Sequence, residues 1–375
     1  MTSKRIHSLT QSFDAPLSDP ILVALSGGVD SALAALLLCQ AGYQVAAVFM
    51  KNWDEDDGTP HCTAQDDFDS ASQVCEILGI KLYQISFSPE YFEQVFEPML
   101  AQYRLGLTPN PDIACNRHIK FGALLQHAQT LGYKWLATGH YARLDRSTSG
   151  QHRLLRARDA DKDQSYFLHQ VPEAAFTNVL FPIGSLLRAE VRQLAKQQHL
   201  PNWNRKGSTG ICFIGERNFA NFLNSYLELT PGDITDTDGT TLGKHQGACL
   251  YTPGQRKGLG LGGIQSAAEA PWYVVDTHTD TNQVVVTQGE DPALYYQRLL
   301  LKDMNWIGMP PRTPCKLTAR FRYRQTDIPC QLDEQDGLWT VDFAEAQRTP
   351  ACGQFCVFYD DQRCLGGGMI VQRFH

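Results

Sequence analysis

The sequence predicts an α/β chain: a doubly wound parallel sheet, then a small β-rich middle domain, then a C-terminal β-barrel. Three observations carry this. Up to about residue 140, short apolar runs alternate with helical stretches, the pattern of strand–helix–strand units. Near Arg217 the texture changes to strand-like runs broken by Pro and Gly pairs. From about Leu299 onward, short alternating runs follow one another between Pro and Gly. These shifts divide the chain into a flexible tail over 1–20, an α/β domain over 21–216, a central domain over 217–294 and a barrel over 295–375.

Element by element, Ile21 to Leu25 is a fully apolar run, as expected of a parallel strand buried on both faces. Ser31 to Ala41 is Ala/Leu-rich and helical, with Gly42 as its stop, and Val45 to Met50 is the next strand. Asp67 to Leu78 reads as a helix, and after Gly79 a strand runs through Ile85. Pro89 to Tyr103 and His118 to Leu131 read as helices, the second stopped by Gly132 ahead of a strand from Trp135 to Thr138. Past the change in texture come one more helix, Asn218 to Tyr226, and strands at Trp272 to Val275 and Val284 to Thr287. Lys316 to Tyr323, Trp339 to Phe343 and Phe355 to Tyr359 are the clearest barrel strands. Ligands of doubly wound sheets sit at the carboxyl ends of the strands, and Ser26, Met50 and Gly139 each follow such an end.

With 43% hydrophobic residues the 375-residue chain can bury real cores, and no apolar run approaches the ~20 residues of a membrane span. Met1 to Pro20 is polar and carries Asp14 and Asp19, so it reads as neither a secretory signal nor a transit peptide. The eleven cysteines, an odd number without a signal peptide, point to reduced thiols and a cytoplasmic protein. The net charge of −7 gives no global attraction to nucleic acid. Any RNA binding must then use local patches: Arg320, Arg322 and Arg324, which a strand would place on one face, with Arg205-Lys206 and Arg256-Lys257.

Ser26-Gly27-Gly28-Val29-Asp30-Ser31 stands between a buried strand and a helix. Two glycines let backbone N–H groups turn towards a phosphate, and the helix adds its positive end. Ser26 and Ser31 supply hydroxyls, and Asp30 is placed to hold a phosphate-bound metal or to cap the helix. The Walker lysine is absent. A lone Gly-Gly would read as an ordinary turn; the whole loop in this setting points to nucleotide phosphate, and it resembles the SGGxDS signature of the PP-loop ATP pyrophosphatases.

Two cysteines occupy unusual settings. Cys115 follows the stiff segment Thr108-Pro109-Asn110-Pro111-Asp112-Ile113-Ala114, at a predicted helix start with Arg117, His118 and Lys120 close by, where a thiol is favoured as thiolate and Asp112 is near enough to exchange protons. Cys212 lies in a Gly-flanked loop, Gly207 to Gly215; between Ile211 and Phe213 it reads equally well as a buried small hydrophobe. Cys39 and Cys75 fall in apolar helices and read as core, Cys62 beside His61 is ambiguous, and Cys352 and Cys356 lack a second ligand pair for a metal.

Taken together, these segments resemble the tRNA-specific 2-thiouridylases (MnmA or TrmU type). The matching blocks span nearly the whole chain: ALSGGVDS (Ala24 to Ser31), VFMKNW (Val48 to Trp53), TPNPDIACN (Thr108 to Asn116), ATGHYAR (Ala137 to Arg143), KDQSYFL (Lys162 to Leu168), STGICFIGER (Ser208 to Arg217), PGQRKGLGLGG (Pro253 to Gly263) and RYRQTDIPC (Arg322 to Cys330). The resemblance implies that Ala24, Leu25, Ser26, Gly27, Gly28, Val29, Asp30, Ser31, Met50 and Gly139 hold ATP with Mg²⁺. It implies that Cys115 is the nucleophile and that Cys212 receives sulfur as a persulfide from a carrier protein. It places Asn110, Pro111 and Asp112 at the target uridine, and His140, Lys162, Asp163, Gln164, Arg322, Tyr323 and Gln354 at the tRNA. Some family members carry cysteine where Asp112 stands and bind an iron–sulfur cluster; the Asp-x-x-Cys form here implies the cluster-free, disulfide-forming type.

The implied reaction is ATP-dependent 2-thiolation of the wobble uridine in the tRNA anticodon stem-loop, the base flipping into the pocket as enzymes acting on a base require. Two rival readings remain at this stage: another PP-loop enzyme that adenylates a base or acid without sulfur transfer, and a non-catalytic nucleotide-dependent RNA-binding protein. Alanine at Cys212 separates the first from a thiouridylase, and pyrophosphate release separates the second.

Overall fold

The computed structural model describes residues 13–54, 64–146, 151–205, 219–262 and 270–375. The N-terminal part begins with strand β1 (Ile21–Ala24), helix α1 (Val29–Gln40), β2 (Val45–Lys51), α2 (Ala64–Leu78) and β3 (Leu82–Ser86). Helix α3 runs as Ser88–Tyr91, a π-helical stretch Phe92–Phe96 and Glu97–Arg104. Helix α4 runs as Pro111–Ala114, a π-helical stretch Cys115–Ala123 and Leu124–Thr130. There follow β4 (Trp135–Thr138), the hairpin β5 (Arg143–Arg146) and β6 (His152–Leu155), the short α5 (Ser165–Leu168), β7 (Val179–Leu180) and α6 (Arg188–Gln197).

Five of these strands form a parallel sheet in the order β3-β2-β1-β4-β7, with Ile21 in register with both Val45 and Trp135. The alternation of side chains along β1 sorts two cores: Ile21 and Val23 face the layer holding α1, α2 and α6, while Leu22 faces the layer of α3 and α4. Helices therefore cover both faces, which is why these strands are apolar throughout. The order reverses between β1 and β4, so the segments after Ala24 and after Thr138 open onto one crevice.

A middle unit contains α7 (Phe219–Asn224) and strands β8 (Gly232–Thr235), β9 (Thr241–His245), β10 (Trp272–His278) and β11 (Gln283–Gln288), paired in the order β10-β11-β8-β9 around Ile234, Val274 and Val286. The last unit holds β12 (Tyr295–Trp306), β13 (Cys315–Arg320), β14 (Ile328–Gln335), β15 (Leu338–Arg348), β16 (Phe355–Asp360) and β17 (Arg363–Phe374). Pairing of β12 with β17 closes these six into a barrel. Its interior takes Phe321, Phe343, Cys356 and Phe358, so Cys356 is core. Val357, Tyr359 and Cys364 face outward into the N-terminal core and dock the barrel there. Among the described residues no helix is long and apolar enough to cross a membrane.

The structure corrects three expectations and adds one element that sequence patterning did not assign. Residues 13–20 are not a loose tail: Tyr43 donates to the carbonyls of Phe13 (3.0 Å) and Ala15 (2.8 Å), and Asp14 pairs with Arg146 at 2.8 Å. Helix α4 begins at Pro111, not near His118, because proline suits the first helical position. The β5–β6 hairpin, which sequence patterning left unassigned, adds to the barrel wall through β6 and β17. Arg320, Arg322 and Arg324 do not share a strand face. Strand β13 ends at Arg320 because the Gln325 side chain accepts from the N–H groups of Phe321 (2.8 Å) and Arg322 (3.1 Å), forming a turn that leaves Arg324 at φ 63°.

The barrel and hairpin are joined by a charge cluster that is buried at Arg156 and Asp163 and opens to the surface at Asp327. Arg156 of the segment after β6 and Arg320 of β13 both contact Asp327 (2.9 and 2.6 Å) and approach Asp163 (3.9 and 3.6 Å), with the Arg156 guanidinium 3.7 Å over the Tyr359 ring. Asp163 is 3% exposed, and its carboxylate also accepts from the N–H groups of Ala157 (3.0 Å) and Ser165 (3.2 Å) and from the Ser165 hydroxyl (2.9 Å). Removing one member of such a cluster strands its partners. Asp163→Ala is expected to cost about 3 kcal/mol in urea unfolding; a loss below about 1 kcal/mol would mean that Asp327 alone balances both arginines.

Candidate active site

The loop after β1 is shaped by what binds its back. Gly27 has φ 73°, and a Cβ there would lie 2.5 Å from the Asp67 carbonyl oxygen, so only glycine fits. Its own carbonyl accepts from Ser70 Oγ (2.8 Å), Asn202 Nδ2 (2.9 Å) and Arg205 Nη1 (3.2 Å). In a trans peptide the next N–H points the opposite way, so Gly28 N–H is turned into the crevice. Ser31 Oγ accepts from Ser26 N–H (3.2 Å) and donates to the Gly28 carbonyl (3.2 Å), which ties the loop to the first turn of α1. A Cβ on Gly139 would stand 2.5 Å from the Ser31 nitrogen, so the turn after β4 closes directly on that helix start. Leu25 and Met50 are buried beneath, and Ala24 is half-buried.

Asp30 projects from α1 and accepts from the Tyr141 hydroxyl at 2.8 Å. Burial raises its carboxyl above the ordinary value, opposed by that hydrogen bond and by Lys162, Arg188 and Arg192. One carboxylate beside a backbone-lined anion loop is the donor set that suits Mg²⁺ shared with substrate phosphates. His140 is 8% exposed, bonded through Nδ1 to the Thr138 hydroxyl (2.8 Å) and packed on Phe121 and Phe181; burial first, then Lys120, holds its pKa well below the usual imidazole value.

The second half of the site is the segment leading into α4. Gln354 of the barrel donates to the carbonyls of Thr108 (3.0 Å) and Pro109 (3.2 Å) and accepts from Asn110 Nδ2 (3.2 Å). Thr108 N–H donates to the Cys352 carbonyl (2.8 Å). On the middle unit's side, Thr108 Oγ1 bonds Thr252 Oγ1 (3.3 Å) and Thr277 Oγ1 donates to the Gly106 carbonyl (3.4 Å). Asp112 lies on the first turn of α4, and among the described residues its buried Oδ1 has no hydrogen-bond partner. Cys115 opens the π-helical stretch and is 0% exposed. Of the cations expected beside it, Arg117 points instead to Gln170 (2.7 Å). Asn110, Ala114, Arg117 and His118 line a cavity of about 320 Å³ with Met304 and Phe355 of the barrel. Cys212 and Lys206 lie outside the described residues.

The remaining residues expected at RNA fall into two groups. Asp163, Arg322 and Gln354 are bonded within the protein, although Arg322 is exposed as a residue: its Nη2 donates to the Thr349 carbonyl (2.7 Å) and hydroxyl (3.0 Å). Lys162, Gln164 and Tyr323 are only partly buried; Gln164 exchanges 2.8 Å hydrogen bonds with the Tyr141 backbone, and Tyr323 packs on Phe167 with ring centroids 4.7 Å apart. Arg256 and Lys257 are exposed on the middle unit. Sequence reasoning missed Tyr141, Asn202 and the role of Arg205. Tyr141 sits inside a block already singled out, whereas Asn202 and Arg205 reach Gly27 across more than 170 residues of chain.

Residues 19–216 match the family described as a tRNA methyl transferase HUP domain, residues 220–288 its PRC-barrel domain, and residues 296–370 an aminomethyltransferase beta-barrel domain. The chain is 50% identical over 357 residues to the tRNA-specific 2-thiouridylase MnmA of Hahella chejuensis, covering 94% of this chain and 98% of the relative. It is 50% identical over 361 residues to the protein of the same description from Alcanivorax borkumensis (96% and 99% covered). A third, from Aeromonas hydrophila, is 50% identical over 357 residues (94% and 97% covered).

Two outcomes follow from this geometry. Gly139→Ala pushes a methyl into the Ser31 nitrogen and is expected to weaken ATP binding by at least about tenfold in calorimetry; unchanged affinity would show that the loop after β4 yields. Burial also lowers His169, to about 4, and holds His140 well below the ordinary 6.5. Because both folded-state values lie below the unfolded one, their stabilisation is complete above about pH 6.5 and lost as pH falls towards 4, by up to about 1.4 kcal/mol per pH unit for each imidazole. Urea midpoints should fall over that window, and less so in His169→Gln; an equal fall in both proteins would exclude His169 as a source.

Proposed function

We propose that this chain, which belongs to the tRNA-specific 2-thiouridylase family, uses ATP to replace the C2 oxygen of a tRNA wobble uridine with sulfur. The observation that carries the reading is a run of contacts that links the backbone-lined anion loop to the strapped helix bearing Asp112 and Cys115: Tyr141 holds Asp30, Gln164 holds Tyr141, and Asn116 of α4 donates to the Phe167 carbonyl three residues further on.

In this reading the loop N–H groups and the amino end of α1 receive the ATP phosphates. Mg²⁺ held by Asp30 and the phosphates would neutralise charge there. Asn110, Pro111 and Asp112 meet the flipped base. The unpaired Oδ1 of Asp112 suits the uridine N3–H, whose proton it takes as the C2 oxygen attacks the α-phosphorus and pyrophosphate leaves. The terminal sulfur of a Cys212 persulfide then attacks C2 and AMP departs. Cys115 thiolate attacks Cys212 Sγ, breaking its bond to the transferred sulfur, so that 2-thiouridine leaves with a Cys115–Cys212 disulfide behind, to be reduced by an external thiol. In the variant order Cys115 attacks the persulfide first and hydrosulfide is released beside the adenylated base. Either disulfide demands Cα atoms within ~7 Å, so the Gly207 to Gly215 loop must come to α4. Sulfur arrives from a carrier protein in the cytoplasm, and no iron–sulfur cluster takes part. Gln164 and Tyr323 face the RNA, while Asp163, Arg322 and Gln354 hold the surface that meets it.

The test incubates purified protein with ATP, Mg²⁺, a persulfide donor and unmodified tRNA, then digests the RNA for mass spectrometry. The parent should yield 2-thiouridine, and Cys115→Ala and Cys212→Ala none. AMP and pyrophosphate without thiouridine would leave a PP-loop adenylating enzyme that does not transfer sulfur. ATP and tRNA binding without pyrophosphate release would leave a nucleotide-dependent RNA-binding protein. A methylated nucleoside would favour the group named in the family description.

A further inference from the structure

The segment that follows α5 is threaded between helix α4 and the barrel, and within it the Gln170 amide is bonded at both ends. The residue is 2% exposed. Its Nε2 donates to the carbonyls of Asp303 (3.2 Å) and Gly367 (3.0 Å), and its Oε1 accepts from Arg117 Nη1 (2.7 Å). Two carbonyl acceptors at one end identify that end as the nitrogen, so the oxygen has to face Arg117. The barrel is shaped to receive this amide. Lys302 pairs with Met369 and Asn305 with Gly367, so β12 carries one residue more than β17 there, a bulge on which Asp303 takes φ 52°. Asn305 returns the grip, donating through Nδ2 to the carbonyls of His169 (2.7 Å) and Val171 (3.2 Å) on either side of Gln170.

On its other side the same segment holds the turn that follows Cys115. Asn116 Nδ2 donates to the Phe167 carbonyl (3.1 Å) and Arg117 is held by Gln170, so the two residues after Cys115 are both tied to it. Their position matters because α4 widens from α to π geometry at Cys115. Such turns are rare inside helices and cluster at functional sites; here the two tethers hold the widened turn in place. If it closed to α geometry, the side chains before and after it would rotate relative to each other by about 100° per residue absorbed. The Gln354 clamp on Thr108, Pro109 and Asn110 supports the turn before Cys115, which carries Asp112. Gln170 supports the turn after it. The thiol therefore stands between two supports, both anchored in the barrel, and only the second acts on the π-helical side.

We propose that Gln170 is a positioning residue for the sulfur-transfer step, holding through Arg117 the π-helical turn on which Cys115 stands. This deepens the proposed function and rests on its reading of Cys115 as the attacking thiol. No bond to Gln170 is made or broken in the reaction; its side chain carries the docking of the barrel over to the helix that bears the thiol. Asp112 and the phosphate loop, which serve adenylation, are held by other contacts.

The test reads the two halves of the reaction separately in the full chain: tRNA-dependent pyrophosphate release without a sulfur donor, and 2-thiouridine formation with a saturating persulfide donor. Gln170→Ala should lower kcat for thiouridine by about tenfold or more. Pyrophosphate release, and KM for ATP and tRNA, should stay within about twofold. Arg117→Ala should show the same split, and the double variant should be no worse than either single one, because the two side chains act as one unit. Arg117 is only partly buried, so its variant carries the test where Gln170→Ala fails to fold. Equal losses in both half-reactions, or losses that add in the double variant, would make Gln170 a structural residue of barrel docking and overturn the proposal. An unchanged kcat for thiouridine in both single variants, whatever happens to KM, overturns it too. Cys115→Ala runs alongside: full thiouridine formation by that variant would fail the thiol reading itself, an outcome distinct from the others.

Discussion

The clamp of Gln354 on the Thr108–Asn110 segment is the interaction on which the rest of the site depends. A loop with two prolines has few backbone donors to spend on its own structure. Here its carbonyls are taken by a barrel side chain, its Thr108 N–H by a barrel carbonyl, and its hydroxyl by the middle unit. The helix start with Asp112 and Cys115 is thus fixed by elements almost 250 residues away in the chain. Gly353, at φ 90°, lets the barrel approach close enough for this; a Cβ there would stand 2.8 Å from the Thr108 nitrogen.

The phosphate side is built on the opposite plan. Its loop is local, the four residues 25–28 between β1 and α1, and long-range contacts only turn it: Asn202, Arg205 and Ser70 pull one carbonyl back and thereby aim the following N–H forward. One half of the site is therefore preformed by short-range geometry and the other by docking of three units. Their meeting at the switch point is what a doubly wound sheet makes available, since the two loops diverging from β1 and β4 leave a crevice between them.

This difference explains what could be read from the sequence. The parallel strands, α1 and the glycine loop were legible because apolar runs, turn residues and helix stops are local signals. The start of α4 was misplaced, since His118 onward looks helical while the Pro111 turn is read as loop until its hydrogen bonds are known. The arginine triplet was misread because Gln325, a residue with no strong preference of its own, folds the chain over at that point. The β5–β6 hairpin is short and half-polar, and its partner strand lies more than 200 residues later. Asp163 and Arg322 were identifiable as members of matched blocks, and Gln354 as a position the resemblance implied, but neither carries a sign of whether a side chain faces solvent or a buried partner.

The shared wall between β6 and β17 has a consequence for how the chain can be divided. A fragment ending before the barrel would keep the β5–β6 hairpin but lose the strand it leans on, leaving unsatisfied backbone groups on β6 and three bare side-chain seats where Val357, Tyr359 and Cys364 had been. A barrel made alone would present Arg320 and Asp327 without Arg156 and Asp163. In evolutionary terms the three units are not beads that can be exchanged one at a time; an insertion or swap in either must carry a matching change in the other, so the N-terminal sheet and the barrel are constrained to be inherited as a pair.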